Sequence, residues 1–394
     1  MSELISQKVK QALEILKREQ VDLWLIFVRE SEVNHDPALD LVVDKEVTWE
    51  SAFILSRNGD KQAIVGRGDV AKIKSLGIYE VFGYDQSIKP HLLRVLNQIN
   101  PQKIAINFSG DNVMADGLSH GMYLLLTELL AGTPFVNRLV SAEKIISKLR
   151  GKKSNLEVRQ IKKVIKVTEK IFSKLDRILK PGLSEQKIWE FFHAEKEKLK
   201  AETAWSEDQC PIVNAGPSSP FGHTLPSDKL KTKRGELLHV DFGLKLGGYC
   251  SDLQRMWYFL DRKERKIPDD IQKAWNTVRR AIEESAKILK LGVLGYQVDE
   301  IARKIVVQAG YPEYPHALGH QLGKFVHDGA SLLGPRWERY GNTPYLPVEE
   351  GNVFTLELGV SVPNRGYLGL EEDVLITKTG CKFLSQEQKK LFCI

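Results

Sequence analysis

The stretch LLHVDFGLKLGGYCSDLQRMWYF, Leu237 to Phe259, decides how the rest of the chain is read. Gly247-Gly248 is a natural two-residue hairpin turn, since such turns favour glycine at both central positions. Folding the stretch about it sets Gly243 opposite Asp252, with Asp241 the diagonal neighbour on the same face. Diagonal partners lie about 7–8 Å apart, a span that metal ions bridge. Two solvated carboxylates on an edge strand would be ordinary. Here Leu238, Val240, Phe242, Met256, Trp257 and Phe259 leave little polar character on either face, so the aspartates need another explanation.

A second pair of strands repeats the pattern. In VFTLELGV (353–360), Phe354, Leu356 and Leu358 alternate to one side, and Glu357 lies on the other with Thr355. In LGLEEDVLIT (368–377), Leu370 and Glu372 share one parity and Glu371 and Asp373 the other, so periodicity leaves both glutamates open. Between the two hairpins lies HALGHQLGKFVHD (316–328), with His316, His320 and His327. Imidazole and carboxylate together suit manganese, cobalt, zinc or iron. Four carboxylates gathered in one cleft repel one another and take up protons unless compensated. Two divalent cations supply four positive charges against the four negative ones.

The remainder of the chain frames this site. At 394 residues it suits two domains. Up to about Leu149, helix and strand alternate, with Asn58-Gly59 as a hairpin turn, which predicts a compact α/β domain of mixed sheet without a phosphate-binding glycine loop. Ser154 and Glu157 have the spacing of a capping box. Ile161, Val164, Thr168, Ile171, Leu175 and Ile178 then follow on one face of a long helix that Lys180-Pro181-Gly182 ends. The expected domains are therefore 1–150 and 154–394. The second is doubled in element order: two helices and a hairpin, then two more helices and a second strand pair.

Composition excludes several classes. The chain carries 57 basic against 51 acidic residues, a net charge of +6, and much of its lysine is interleaved with glutamate as on a solvated helix face. That pattern points away from nucleic acid. The charged N-terminus lacks the apolar stretch of an export signal, and no run of about 20 apolar residues argues for a membrane span. The four cysteines show no paired spacing, which fits a reduced, cytoplasmic protein.

The order Asp-x10-Asp, His in HALGH, Glu in TLE and Glu in LEED resembles the pita-bread metallopeptidases, the superfamily of Xaa-Pro aminopeptidase, prolidase and methionine aminopeptidase. The resemblance covers about residues 155–385. The N-terminal portion is similar to the creatinase-type domain of the proline-specific branch, a domain that methionine aminopeptidases lack. It implies an α+β pita-bread catalytic domain, duplicated about a pseudo-two-fold axis, behind a smaller α/β creatinase-like domain. It further implies two divalent ions, manganese first with cobalt or zinc as alternatives, held by Asp241, Asp252, His320, Glu357 and Glu371; the choice of Glu371 over Glu372 comes from the resemblance.

Glu357 would also shuttle a proton to the leaving nitrogen, His316 and His327 would contact substrate and steady the tetrahedral intermediate, and His223 would be a further active-site histidine. The implied activity is removal of the first residue from peptides with proline second, as an Xaa-Pro aminopeptidase or dipeptidase acting as a cytoplasmic homodimer. The alternatives are a non-catalytic pita-bread binding protein, or another hydrolase or lyase reaction on the same scaffold. The chain departs from the family at three positions. Leu358 stands in place of the usual Pro, Gln254 in place of Thr, and Gly369 in place of the Arg of the proline-specific members. Arg365 is the arginine nearest in sequence that could substitute.

Overall fold

The computed structural model describes residues 2–220, 222 and 224–394, and the chain divides into two compact units, Met1–Arg150 and Gly151–Ile394. In the first, six strands, β1 (Leu23–Val28), β2 (Ser51–Ser56), β3 (Lys61–Gly66), β4 (Glu80–Tyr84), β5 (Ile104–Ile106) and β6 (Leu139–Ser141), form one sheet in the order β4-β3-β2-β1-β5-β6. It is mixed: β1–β2 and β2–β3 are antiparallel, the other neighbours parallel. Asn58 and Gly59 fall in the β2–β3 turn, which Ser56 N–H closes onto Asp60 O. The central strand is buried along its whole length because both faces are covered. Trp24, Ile26 and Val28 join the core of helices α1 (Ser2–Glu19) and α2 (Leu39–Val42). That core also takes in α3 (Val70–Lys74) and the later α6 (Glu143–Gly151), whereas Leu23, Leu25 and Phe27 pack with α4 (Lys89–Ile99) and α5 (His120–Leu129).

The second unit begins with α7 (Asn155–Leu175), whose capping box is formed as the sequence predicts, Ser154 accepting from Glu157 N–H and Glu157 from Ser154 N–H. The helix is shorter than expected. It ends at Leu175, and Asp176, whose carboxylate accepts from the Trp257 indole at 2.6 Å, starts a turn that carries Ile178 out to solvent. Helix α8 (Glu185–Lys198) follows, then β7 (Glu202–Thr203), β8 (Ile212–Ala215), β9 (Leu237–Phe242), β10 (Leu244–Leu246), β11 (Tyr249–Cys250) and β12 (Leu253–Tyr258). After α9 (Asp269–Ile288) and α10 (Gly295–Gln308) come β13 (Val353–Val362), β14 (Gly366–Thr377), β15 (Gly380–Phe383) and β16 (Phe392–Cys393). The element order helix, helix, hairpin therefore occurs twice.

The main sheet runs β13-β14-β12-β9-β8, with β15 on β14 and β16 on β12, and a small sheet β11-β10-β7 branches from it. Helices cover one face. Phe172 of α7 and Phe192 of α8 meet Phe242 ring to ring, and Phe172 also meets Trp257. Phe354, Leu356, Leu358 and Leu370 bury with α9 and α10. Leu358, where a proline was the family expectation, is fully buried in this core, and β13 pairs with β14 without a break from Val353 to Val362. With one face committed to helices, polar residues of opposite parity are left for the other. Among the described residues no helix is long and apolar enough to cross a membrane.

Candidate active site

The register of the first hairpin is the one its turn demands. Gly247 and Gly248 both take positive φ, and Leu246 pairs with Tyr249, Lys245 with Cys250 and Asp241 with Gln254. Across the main sheet this register continues into a single row, because Gln254 pairs with Glu371 and Glu371 with Glu357. Glu357, Glu371, Gln254 and Asp241 thus stand side by side on four neighbouring strands, with Asp252 two residues before Gln254 on the same face.

The histidine loop docks on the outer edge of this row. Thr355 N–H donates to His320 O at 2.9 Å, His320 N–H to Thr355 Oγ1 at 3.2 Å, and Glu357 N–H to Leu318 O at 2.7 Å. The approach is so close that a Cβ on Gly319 would lie 2.0 Å from Thr355 O, so only glycine fits there. The loop is fixed from behind as well. Arg303, paired with Asp299, donates to the carbonyls of Tyr314 and His316, and buried Lys153 donates to Asp328 O and pairs with its carboxylate at 3.1 Å.

Asp252, His320 and Glu371 bring ligand atoms within 4.8 Å of one another, a group able to hold a metal ion. Glu357 adjoins it, Oε1 lying 3.5 Å from His320 Nε2, and Asp252 Oδ2 is 3.7 Å from the same nitrogen. His320 Nδ1 is turned toward Gln321 O at 3.4 Å, which leaves Nε2 to offer its lone pair to the group. Among the described residues Asp241 Oδ1, Asp252 Oδ1 and both oxygens of Glu371 are buried without a hydrogen-bond partner. Buried acceptors in such number are not stable as bare anions.

Burial, the largest cause, pushes the Asp241 carboxyl up to about 7 and Glu357 up to about 8. Burial and then the neighbouring carboxylates push Asp252 and Glu371 well above the carboxylate range. Burial also holds His320 well below its ordinary value, so its ring is neutral. Neutral imidazole and four carboxylates, three of them with orphaned oxygens, are the donor set that divalent cations require, and the residues fit such ions.

Glu372 shares none of this. It faces the helices, where its oxygens meet Arg255 Nη2 at 3.2 Å, Ser385 Oγ at 2.7 Å and Gln388 N at 2.8 Å, with Arg279 nearby. The pleat that periodicity could not orient thus places Glu371 in the cluster and Glu372 outside it. His316 and His327 both line the cavity of about 570 Å³ over the row, together with Trp205, Val326, Arg339 and Tyr340. The His327 ring stands edge-on to His320, centroids 4.3 Å apart, and His316 Nδ1 bonds Ala317 O at 2.8 Å. His223 lies outside the described residues.

Arg365 does not reach the cavity. Its guanidinium is held by Gly235 O, the Tyr258 hydroxyl and Glu264. The space beside Gly369 is instead filled by Tyr367, Gln254 and His239. Sequence reading also missed Asp373, fully buried, whose Oδ2 accepts from Asp252 N–H at 3.3 Å; its shared parity with Glu371 was the available signal.

A sheet backed by four helices, with an acid-and-imidazole cluster on its open face, defines a pita-bread metalloprotein. The model of Metallopeptidase family M24 matches residues 159–378, and the chain belongs to that family. An uncharacterized peptidase of Staphylococcus epidermidis is 31% identical over 245 residues, 62% of this chain and 65% of that protein, so the match spans just under two thirds of the relative. A Xaa-Pro dipeptidase of Pyrococcus horikoshii is 28% identical over 258 residues, 65% of this chain and 68% of the other. In fold the chain is similar to the solved Xaa-Pro dipeptidase from Bacillus anthracis, with TM-score 0.76 and 20% identity over 99% of this chain and 100% of that one.

Proposed function

We propose that this chain is a metal-dependent exopeptidase that releases the first residue from peptides with proline in second position. The observation that carries the reading is the set of buried carboxylate oxygens on Asp241, Asp252 and Glu371 that have no hydrogen-bond partner among the described residues, beside a neutral His320. Asp241, Asp252, His320, Glu357 and Glu371 would hold two divalent ions, manganese first, with cobalt or zinc able to take its place. When bound, such ions supply Lewis acidity toward a peptide carbonyl and ease the ionisation of water.

The protein's own groups do the rest. Glu357, whose burial already favours proton uptake, carries the proton toward the leaving nitrogen. His316, whose Nδ1 bonds Ala317 O and whose side chain lines the cavity, contacts substrate there. His327 opposes the charge that grows on the carbonyl oxygen. His223 belongs to the same proposal. The substrate's free amino group sits near Asp252, which confines cleavage to the first peptide bond. A proline nitrogen offers no N–H, so recognition rests on the shape of the cavity wall. The resemblance supports a homodimer in the cytoplasm as the working form.

Purified protein loaded with manganese or cobalt should release the first residue from a Xaa-Pro dipeptide, from longer Xaa-Pro peptides, or from both, and a chelator should stop it. Rates against peptide length in one Xaa-Pro series separate dipeptidase from aminopeptidase. Absence of turnover on every Xaa-Pro peptide with both ions bound would overturn the assignment.

A further inference from the structure

A chain of close polar side-chain contacts crosses the sheet beside the acidic row and ends on Glu357. Gln254 Nε2 donates to Glu357 Oε2 at 3.1 Å. Gln254 Oε1 is 2.9 Å from His239 Nε2, and His239 Nδ1 is 2.9 Å from Asn214 Oδ1. Asn214 in turn donates through Nδ2 to Pro220 O at 2.9 Å. Asn214, His239 and Gln254 are all buried, and each sits on a different strand, β8, β9 and β12. The Tyr367 ring stands edge-on to His239 with centroids 5.1 Å apart. A Cβ on Gly369 would lie 2.6 Å from Tyr367 Cε1, 2.8 Å from Gln254 Oε1 and 3.1 Å from His239 Nε2. The residues at 239, 254, 367 and 369 therefore interlock.

We infer that Gln254, its amide oriented by His239, is a positioning residue that divides the work of the two Glu357 oxygens. Resting on the peptidase reading, the inference adds a residue to it. The amide N–H holds Oε2, and Oε1 is thereby left facing His320 at 3.5 Å. An amide N–H gives a hydrogen bond and takes no proton, so it keeps Oε2 as an acceptor. The amide has a wrong orientation as well. Turned over, it would point Oε1 at a carboxylate oxygen, two acceptors face to face. The amide is confined against that turn by His239 Nε2, 2.9 Å from Gln254 Oε1, and Gly369 keeps the space in which the two meet.

The test is a double-mutant cycle of Q254L, H239L and both together, with H239Q as the variant that restores a donor near Gln254. With manganese and a Xaa-Pro peptide, Q254L should lower kcat about 10- to 100-fold, the range of a misplaced catalytic group, with KM within about twofold. H239L should show a smaller loss of the same kind, H239Q should recover part of it, and the double variant should be no worse than Q254L. The second readout is independent of turnover: cobalt-loaded Q254L and H239L should keep the wild-type cobalt content and shift the visible absorption bands in the same direction.

Additive losses in the double variant, or a Q254L protein with wild-type kcat and spectrum, would overturn the inference. If Q254L does not fold, Q254M takes its place in the cycle under the same criteria. A wild-type protein that turns over no peptide while the cobalt spectra still shift as expected would sink the peptidase reading and leave the positioning role standing.

Discussion

Glu371 and Glu372 are adjacent on one strand, equally buried and chemically alike, yet their surroundings are opposite. On the helix side, Glu372 is answered by Arg255, Ser385 and the Gln388 N–H, with Arg279 close by. On the cavity side, neither oxygen of Glu371 has a hydrogen-bond partner among the described residues, and its nearest charged neighbours are other carboxylates. Folding accommodates a buried acid by surrounding it with donors, which is what the helix side does. On the cavity side, among the described residues, oxygens of Asp241, Asp252, Glu371 and Asp373 are left unanswered, and an imidazole adjoins Asp252. The difference teaches that burial alone does not mark a functional carboxylate. Burial without donors, repeated over several neighbours, does.

The largest expected effect sets these two residues against each other. Glu371→Gln should lower kcat by about a thousand-fold or more and cut the manganese content, because an ion loses a ligand. The metal-free variant should be no less stable than the metal-free parent, since neither Glu371 oxygen makes a hydrogen bond among the described residues that the substitution would lose. Glu372→Gln should do the reverse. It leaves Arg255 and Arg279 without their buried anion, a loss of about 3–5 kcal/mol, while the folded fraction keeps its manganese and its kcat. Metal analysis, urea unfolding and kinetics on both variants check this. Equal outcomes for the two would remove the distinction between the faces.

The same contrast has a pH signature. Folded, metal-free protein holds Asp241 up to about 7 and Glu357 up to about 8 through burial, against an unfolded value near 4. Between roughly pH 4 and pH 8 the folded form therefore binds more protons than the unfolded form, and stability falls as pH rises, by about 1.4 kcal/mol per unit for each excess proton. Saturating manganese should reverse the slope, because the ions bind the ionised carboxylates. Unfolding midpoints of chelator-treated and manganese-loaded protein at pH 5, 6, 7 and 8 give the two slopes. A flat profile without metal would mean that the cavity face does not resist charge.

How far the sequence could show this difference depends on which interactions are local. The two-glycine turn fixes the register of the first hairpin, so the placement of Gly243, Asp252 and Asp241 was legible, as was the capping box at Ser154. Parity assigned Glu357 to the face away from the core but could not orient Glu371 against Glu372, because a two-residue period has no absolute sign without a neighbouring strand. The network of Asn214, His239 and Gln254 was invisible for a related reason: its members sit on three strands, and no spacing within one of them announces the others. The end of α7 was misplaced by four residues since the apolar period runs on through Ile178, whereas Asp176 turns away to meet Trp257. His320 could not be singled out from His316 and His327 by pattern, because a loop has no period.

The smallest effect worth measuring lies at Ser385, on the answered side. Its hydroxyl donates to Glu372 Oε2 at 2.7 Å and accepts from Asp373 N–H at 3.2 Å. Ser385→Ala removes one of several donors to Glu372, so the carboxylate keeps Arg255 and the Gln388 N–H, and the loss should be about 1.5–3 kcal/mol, that of one hydrogen bond to a charged group. Manganese content and kcat should be unchanged, since no atom of Ser385 lines the cavity. A measurable drop in manganese affinity instead would show that strain on the helix side passes through the strand to Glu371, and that the two faces are coupled where the contrast between them treats them as independent.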